Sequence, residues 1–304
     1  EFRRVLFRSI QSTISAANVS LTNVDFISIV AAGAAIPFTG TSLGNASNNS
    51  NITFTNAKTV YWSLAAGGSW TSNAWATGSG QAPAAANFPL AQDTIYIDDA
   101  GLTTGNTITL ITMPIGNLYS TKTNAWTLAL STFGPQFIGD ITINSQATIT
   151  STSSTAYLWN ITGTQVITTN GVAFPSNTQQ LSNILRINGN LTLGSSYTYT
   201  LNAGTLDLTN NGAGNYTLST GIFSSNNSTT RSISFGTGNI TITGNGATVW
   251  AAGTVTNFTY TGTPTVNCTY SGSTGTRTLS HGSTSGTVSN AVSLDRKSTR
   301  LNSS

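Results

Sequence analysis

The chain has 304 residues, of which 38 % are hydrophobic and only 6 % charged, with a formal net charge of +3. An average soluble domain is about one quarter charged; here Thr, Ser, Asn and Gly supply the polarity, a composition suited to turn-rich β structure. Six of the eleven basic residues lie in segments 1–9 and 295–304. That leaves five basic against six acidic residues in the body, so the net charge gives no ground for a basic nucleic-acid-binding surface.

In chain order, Glu1 to Ser9 and Asp295 to Ser304 stand out first, because charge density changes abruptly at both junctions. They resemble translated sequencing-adapter read-through and are expected to be non-native tails. Residues 10–59 read as the end of a preceding β module, with alternating strands across Val19 to Ile29. An Asn-rich loop from Asn45 to Asn51 follows, then a closing strand at Ile52-Thr53-Phe54-Thr55. Stacked Asn in such a loop can bond to successive coils. Phe26 to Phe38 is the most apolar stretch and is too short to span a membrane.

Residues 60–104 change texture. Tyr61, Trp62, Trp70 and Trp75 fall in a Gly/Ser/Ala-rich stretch, followed by Pro83, Pro89 and the strand Asp93-Thr94-Ile95-Tyr96-Ile97-Asp98. Large rings of this kind suit the cover of a first coil, whose strand edge would otherwise be bare. The pattern Gly68-Ser69-Trp70, Trp75, a proline segment, then Asp93 before a strand resembles an element that opens β-helical segments. Such segments occur in bacterial autotransporter passengers and in large structural proteins of bacteriophages. The Asn-rich loop before it resembles their closing coil. The match covers residues 20–110 by motif and departs at Asn73-Ala74-Trp75, where Ala74 separates Asn from Trp. It implies a β-helix in a virion or at a cell surface.

From 105 to 294 a repeat dominates. Glycines at 116, 139, 163, 189, 214, 238, 262 and 286 recur at intervals of 23 to 26, each opening a short alternating segment such as Gly238-Asn239-Ile240-Thr241-Ile242. The spacing predicts an all-β fold, a right-handed parallel β-helix or β-solenoid with coils of about 24 residues. Glycine is expected at each corner for its tolerance of positive φ, and Thr at each mid-strand position facing outward.

The sequence offers no catalytic, cofactor or metal constellation. His281 is the only histidine and reads as a turn residue; Cys268, the only cysteine, alternates as an inward strand residue. Asp98-Asp99 reads as a strand end and turn rather than an acid–base pair, because neighbouring strand residues face opposite ways. Calcium at Asp93, Asp98 or Asp99 is a weaker alternative. Lys58, Lys122, Arg186, Arg231 and Arg277 are too scattered for a pectin-cleaving cleft. Trp62, Trp70, Trp75, Trp126, Trp159 and Trp250 read as caps and core rather than a sugar-stacking surface. Sequons at Asn160, Asn190 and Asn239 read as strand residues. The expectation is a non-enzymatic structural or attachment protein, a rigid segment of a phage tail-associated virion protein acting extracellularly. A secreted adhesin passenger and a fragment of a β-helical carbohydrate-active enzyme are the alternatives. Expected partners are a host-cell surface or glycan, other structural proteins or further copies of the chain, without cofactor, nucleic acid or membrane span.

Overall fold

Alternation decides the local structure. Along Thr94–Ile97, Trp126–Leu130 and Asn239–Ile242 every second residue is apolar and buried, while the intervening residues are only partly covered. Successive side chains of an extended strand point to opposite faces, so each segment buries one row and shows the other. The structure, a computed structural model, describes residues 11–130, 134–152, 155–269 and 278–282. It adds the backbone of the strands Val5–Leu6 and Ser293–Arg296. Among these residues the protein is all-β; the only helical segment is the three-residue 3-10 turn Ala85–Asn87.

Strands gather into long parallel sheets of ten and eleven members and a shorter one of four. The chain visits them in turn. Thr94–Ile97 lies in the ten-stranded sheet, Thr107–Thr109 in the four-stranded sheet and Pro114–Ile115 in the eleven-stranded sheet. Asn117–Ser120 then returns beside Thr94–Ile97. This circuit is compatible with a β-solenoid. Leu191–Leu201 and Thr217–Ser224 are long enough to turn a corner, pairing by their first halves with each other and onward to Asn239–Ile242. Their second halves pair with Asn177–Gln180 and Thr248–Ala252 respectively, so two faces merge there.

Register spacing varies. Leu118 lies opposite Ile141, 23 residues on; Thr164 opposite Ile184, 20 on; and Gly204 opposite Arg231, 27 on. The eight glycines therefore do not form one column, as the repeat led one to expect. Gly116, Gly139 and Gly163 precede strands of the ten-stranded sheet, whereas Gly189, Gly214, Gly238 and Gly262 precede strands of the eleven-stranded sheet. The short spacing at Ile184–Ile187 moves the next glycine from the corner before a rung to the corner after it. Gly286 lies outside the described residues. Gly238 also has no positive φ. A side chain there would put its Cβ 2.5 Å from the Tyr216 carbonyl oxygen of the coil below, so close approach, not dihedral freedom, requires the glycine.

One continuous core runs between the sheets. Val60, Ile95, Leu118, Ile141, Ile167 and Ile187 stack in register along the inner side of the ten-stranded sheet. Tyr199, Phe223 and Trp250 stack along the eleven-stranded one, with centroids 6.1 and 4.4 Å apart. Thr59–Trp62 and Thr94–Ile97 already belong to the ten-stranded sheet, so the columns reach upstream of residue 105. At that end Trp75–Ala76 pairs antiparallel with Thr59–Trp62. Trp62, Trp70 and Trp75 are fully buried there, the ring of Trp75 4.6 Å from that of Trp70 and 5.2 Å from that of Trp62.

Residues 11–55 make a smaller parallel stack, in which Leu21–Phe26 pairs with Val5–Leu6 and Gly40–Asn45, and Ser12–Ser15 with Ile29–Ala32. Ile52 makes an isolated bridge with Phe38 rather than the closing strand expected over Ile52 to Thr55; the ladder stops there because the Leu43 N–H is taken by the Thr55 hydroxyl rather than by a backbone carbonyl. Asn side chains tie this loop to the strands before it. The Asn49 amide donates to the Phe26 carbonyl and its oxygen accepts from Ile29 N–H; Asn51 donates to the Ala31 carbonyl. This stack lies against the flank of the larger one. Ile27 and Ala46 pack with Ala91, Ile138 and Trp159, and the Gln92 side chain bonds to Asn45, Leu43 and Thr55. The tails at 1–9 and 295–304 fall outside the described residues except for the strand backbone named above.

Candidate functional site

The residues singled out for chemistry are dispersed, and each has a local structural partner. His281 ends the strand Thr278–His281 instead of sitting in a turn, because its backbone pairs with Ala252. Its ring nitrogens approach the Tyr260 hydroxyl at 3.1 and 3.3 Å, and burial lowers its pKa. Cys268 lies on the inward side of Thr265–Cys268, packed against the core. Asp98 accepts the Ala100 and Gly101 N–H groups and closes the turn. Asp93 is fully buried: it pairs with the Lys58 ammonium at 2.6 Å and accepts the N–H groups of Lys58 and Leu90. Both its oxygens are thus engaged by groups of the protein itself. Among the described residues no three His, Cys, Asp or Glu side chains gather as a metal site.

The cations are structural staples. Lys122 is 2 % exposed and donates to the Leu102 carbonyl and to Asp99, tying neighbouring turns together. Asp99 also accepts from the hydroxyl and backbone of Thr123. These bonds, with that from Lys122, hold its carboxyl well below the usual carboxylate range. Arg186 pairs with Asp207 at 3.3 Å. Arg231 is 1 % exposed and reaches four backbone carbonyls and the Ser225 hydroxyl, with its guanidinium 4.9 Å from the Phe258 ring centre. Burial lowers its pKa. Its donors are spent on the two loops it pins, at 225–229 and 254–256. Arg277 lies outside the described residues.

All six tryptophans are buried, so none offers a ring face to a sugar. The sequon amides are used within the fold: Asn190 accepts the Thr217 N–H of a neighbouring strand, Asn160 the Gly163 N–H of its own turn and Asn239 the Thr241 hydroxyl of its own strand.

What faces outward differs from sheet to sheet. On the ten-stranded sheet Tyr61, Tyr96 and Tyr119 stand in register, their centroids 5.2 and 5.6 Å apart. Burial, then Asp140, then Tyr96 raise the pKa of Tyr119. Each ring sits one residue after an inward aliphatic, and that shared phase was the available sequence signal. The face begun by the four-stranded sheet is different. Its outward positions pair Thr107 with Thr127 and Thr148, and Thr109 with Ala129 and Thr150. It resumes farther along with Thr192, Ser219 and Thr241 in register. Between the two runs lies a depression of about 430 Å³ lined by Ala147, Ile149, Asn170 and Val172, where the strand pairing lapses. No charged residue occupies an outward position of these strands. Among the described residues the arrangement presents rows of hydroxyls and stacked phenols on parallel sheets.

No family model matches the chain, and comparison with curated proteins and with solved structures finds no match. No helix among the described residues is long and apolar enough to cross a membrane.

Proposed function

We propose that the chain is a stretch of a rigid, right-handed β-solenoid rod with coils of about 24 residues. It works as a structural and attachment element, a segment of a phage tail-associated virion protein acting outside the cell. The carrying observation is the two sheets of ten and eleven strands, paired in parallel except at the Trp75–Ala76 end, around one continuous core. Parallel crossovers within a sheet are right-handed in about 98 % of cases, which supports the hand. A ladder of this kind resists bending because every rung is bonded to two neighbours, and it holds surface features at a fixed pitch of about 4.8 Å. The near-neutral body favours partners that are met by shape and hydrogen bonding, such as a neutral glycan of a host surface or another structural protein, rather than by charge.

Electron microscopy of the purified chain, with a glycan array run beside it, tests this. The expected result is straight particles about 45 Å long for the ten-stranded part, with glycan retention and no released product. Globular particles, or hydrolysis of a retained glycan, would overturn the reading.

A further inference from the structure

The neutral face carries a second property. Thr107, Thr127 and Thr148 form one outward row, and Thr109, Ala129 and Thr150 the row beside it. The five threonine hydroxyls make no side-chain hydrogen bond among the described residues. Elsewhere such groups are spent on one another: on the ten-stranded sheet Thr205 and Ser232 bond at 2.6 Å, and Thr261 donates to Ser234 at 3.2 Å. The grid is therefore fixed in geometry and free in hydrogen-bonding capacity.

Its spacing has a consequence. Rungs of a parallel sheet lie about 4.8 Å apart, and alternate residues along a strand about 6.7 Å apart. A water bonded at about 2.8 Å to each of two hydroxyls 4.8 Å apart subtends about 118° between them, near the tetrahedral angle. Each of the two gaps in the Thr107–Thr127–Thr148 row can thus hold one bridging water in the geometry water itself prefers. In the row beside it Ala129 interrupts the hydroxyls, so Thr109 and Thr150 flank the bridged row without bridging to each other. Threonine is β-branched and stiff at χ1, so the hydroxyls and methyls are already ordered and little side-chain entropy remains to be lost on binding. No charge on this face imposes a competing hydration shell, and no aromatic ring offers a platform for a pyranose. The ten-stranded face carries Asp140, Arg186 and the tyrosine ladder, and part of the eleven-stranded face is covered by the smaller stack.

We propose that this face binds ice, holding a lattice of ordered water that merges with a growing ice surface. This is separate from the role as an attachment rod. The test is ice growth in solutions of the purified chain, observed by nanolitre osmometry, with partition of fluorescently labelled protein into ice. The expected result is a gap between melting and freezing temperatures, faceted crystals, and label in the ice. Thr127→Lys, at the centre of the grid, abolishes all three while leaving the β spectrum and thermal midpoint unchanged. Thr148→Lys, at the exposed margin of the grid, serves if the first variant does not fold. Thr168→Lys, outward on the ten-stranded sheet, retains native ice activity. Native protein without hysteresis or partition overturns the proposal, as does equal loss in Thr168→Lys. Sedimentation with microcrystalline cellulose or chitin, without an effect on ice, overturns it in favour of a polysaccharide surface.

Discussion

Charges are few, and among the described residues Lys58, Lys122 and Arg186, with their carboxylate partners, and Arg231 are each tied into the fold. Asp207 shows the balance: burial pushes its pKa up, but hydrogen bonds from Thr209, Asn211 and Arg186 outweigh it and the net shift is downward. Asp99 is shifted the same way by Thr123 and Lys122. A carboxylate whose folded pKa lies below its unfolded value stabilises the fold fully above the unfolded value, and that contribution is lost as pH falls towards the folded one. Urea midpoints should therefore hold steady down to about pH 4 and fall below it. Asp99→Asn should make the acid-side fall shallower; a variant with the native slope would refute the assignment.

At the level of an element, the Trp-bearing segment explains how the first rung is closed. Trp75 contacts both Trp62 and Trp70, and its indole N–H donates to the Trp70 carbonyl at 3.1 Å. Its strand is the one antiparallel partner in the ten-stranded sheet, which ends the parallel ladder on that side. Removing the ring leaves a cavity against a strand edge. Trp75→Ala should cost about 3–5 kcal/mol in urea unfolding. Hydrogen exchange should rise first at Thr59–Trp62 and Thr94–Ile97, with Asn239–Ile242 unaffected. Uniform loss of protection would contradict a local cap.

Across the whole molecule, stability is shared between rungs. Ile240 lies in register between Leu218 and Val266, with no exposure of its own. A coil buries too little alone to offset the ordering of its backbone, so neighbours hold one another through the ladders. Ile240→Asp should expose the strands Thr217–Ser224 and Thr265–Cys268 to exchange together with its own strand. Protection retained in both neighbours would sink this picture of coupled rungs.

Alternation in Asn239–Ile242 and its equivalents made the strands, their inward rows and the outward Thr legible in the sequence, because a period of two has one physical meaning. The buried tryptophans were legible too, from ring size and from the need to cover the edge of a first coil. The division of the glycines between two sheets was not, since 20- and 27-residue spacings average to a regular repeat while moving the corner. Nor was the reason for Gly238, which depends on the Tyr216 carbonyl of another coil. The tyrosine ladder and the threonine grid exist only through register, which brings together residues twenty or more positions apart. Sequence by itself determined which side of each strand is apolar, a local property of neighbouring residues. Tertiary structure alone decided which outward residues share a face, because hydrogen-bonded pairing between coils, not spacing along the chain, sets that alignment.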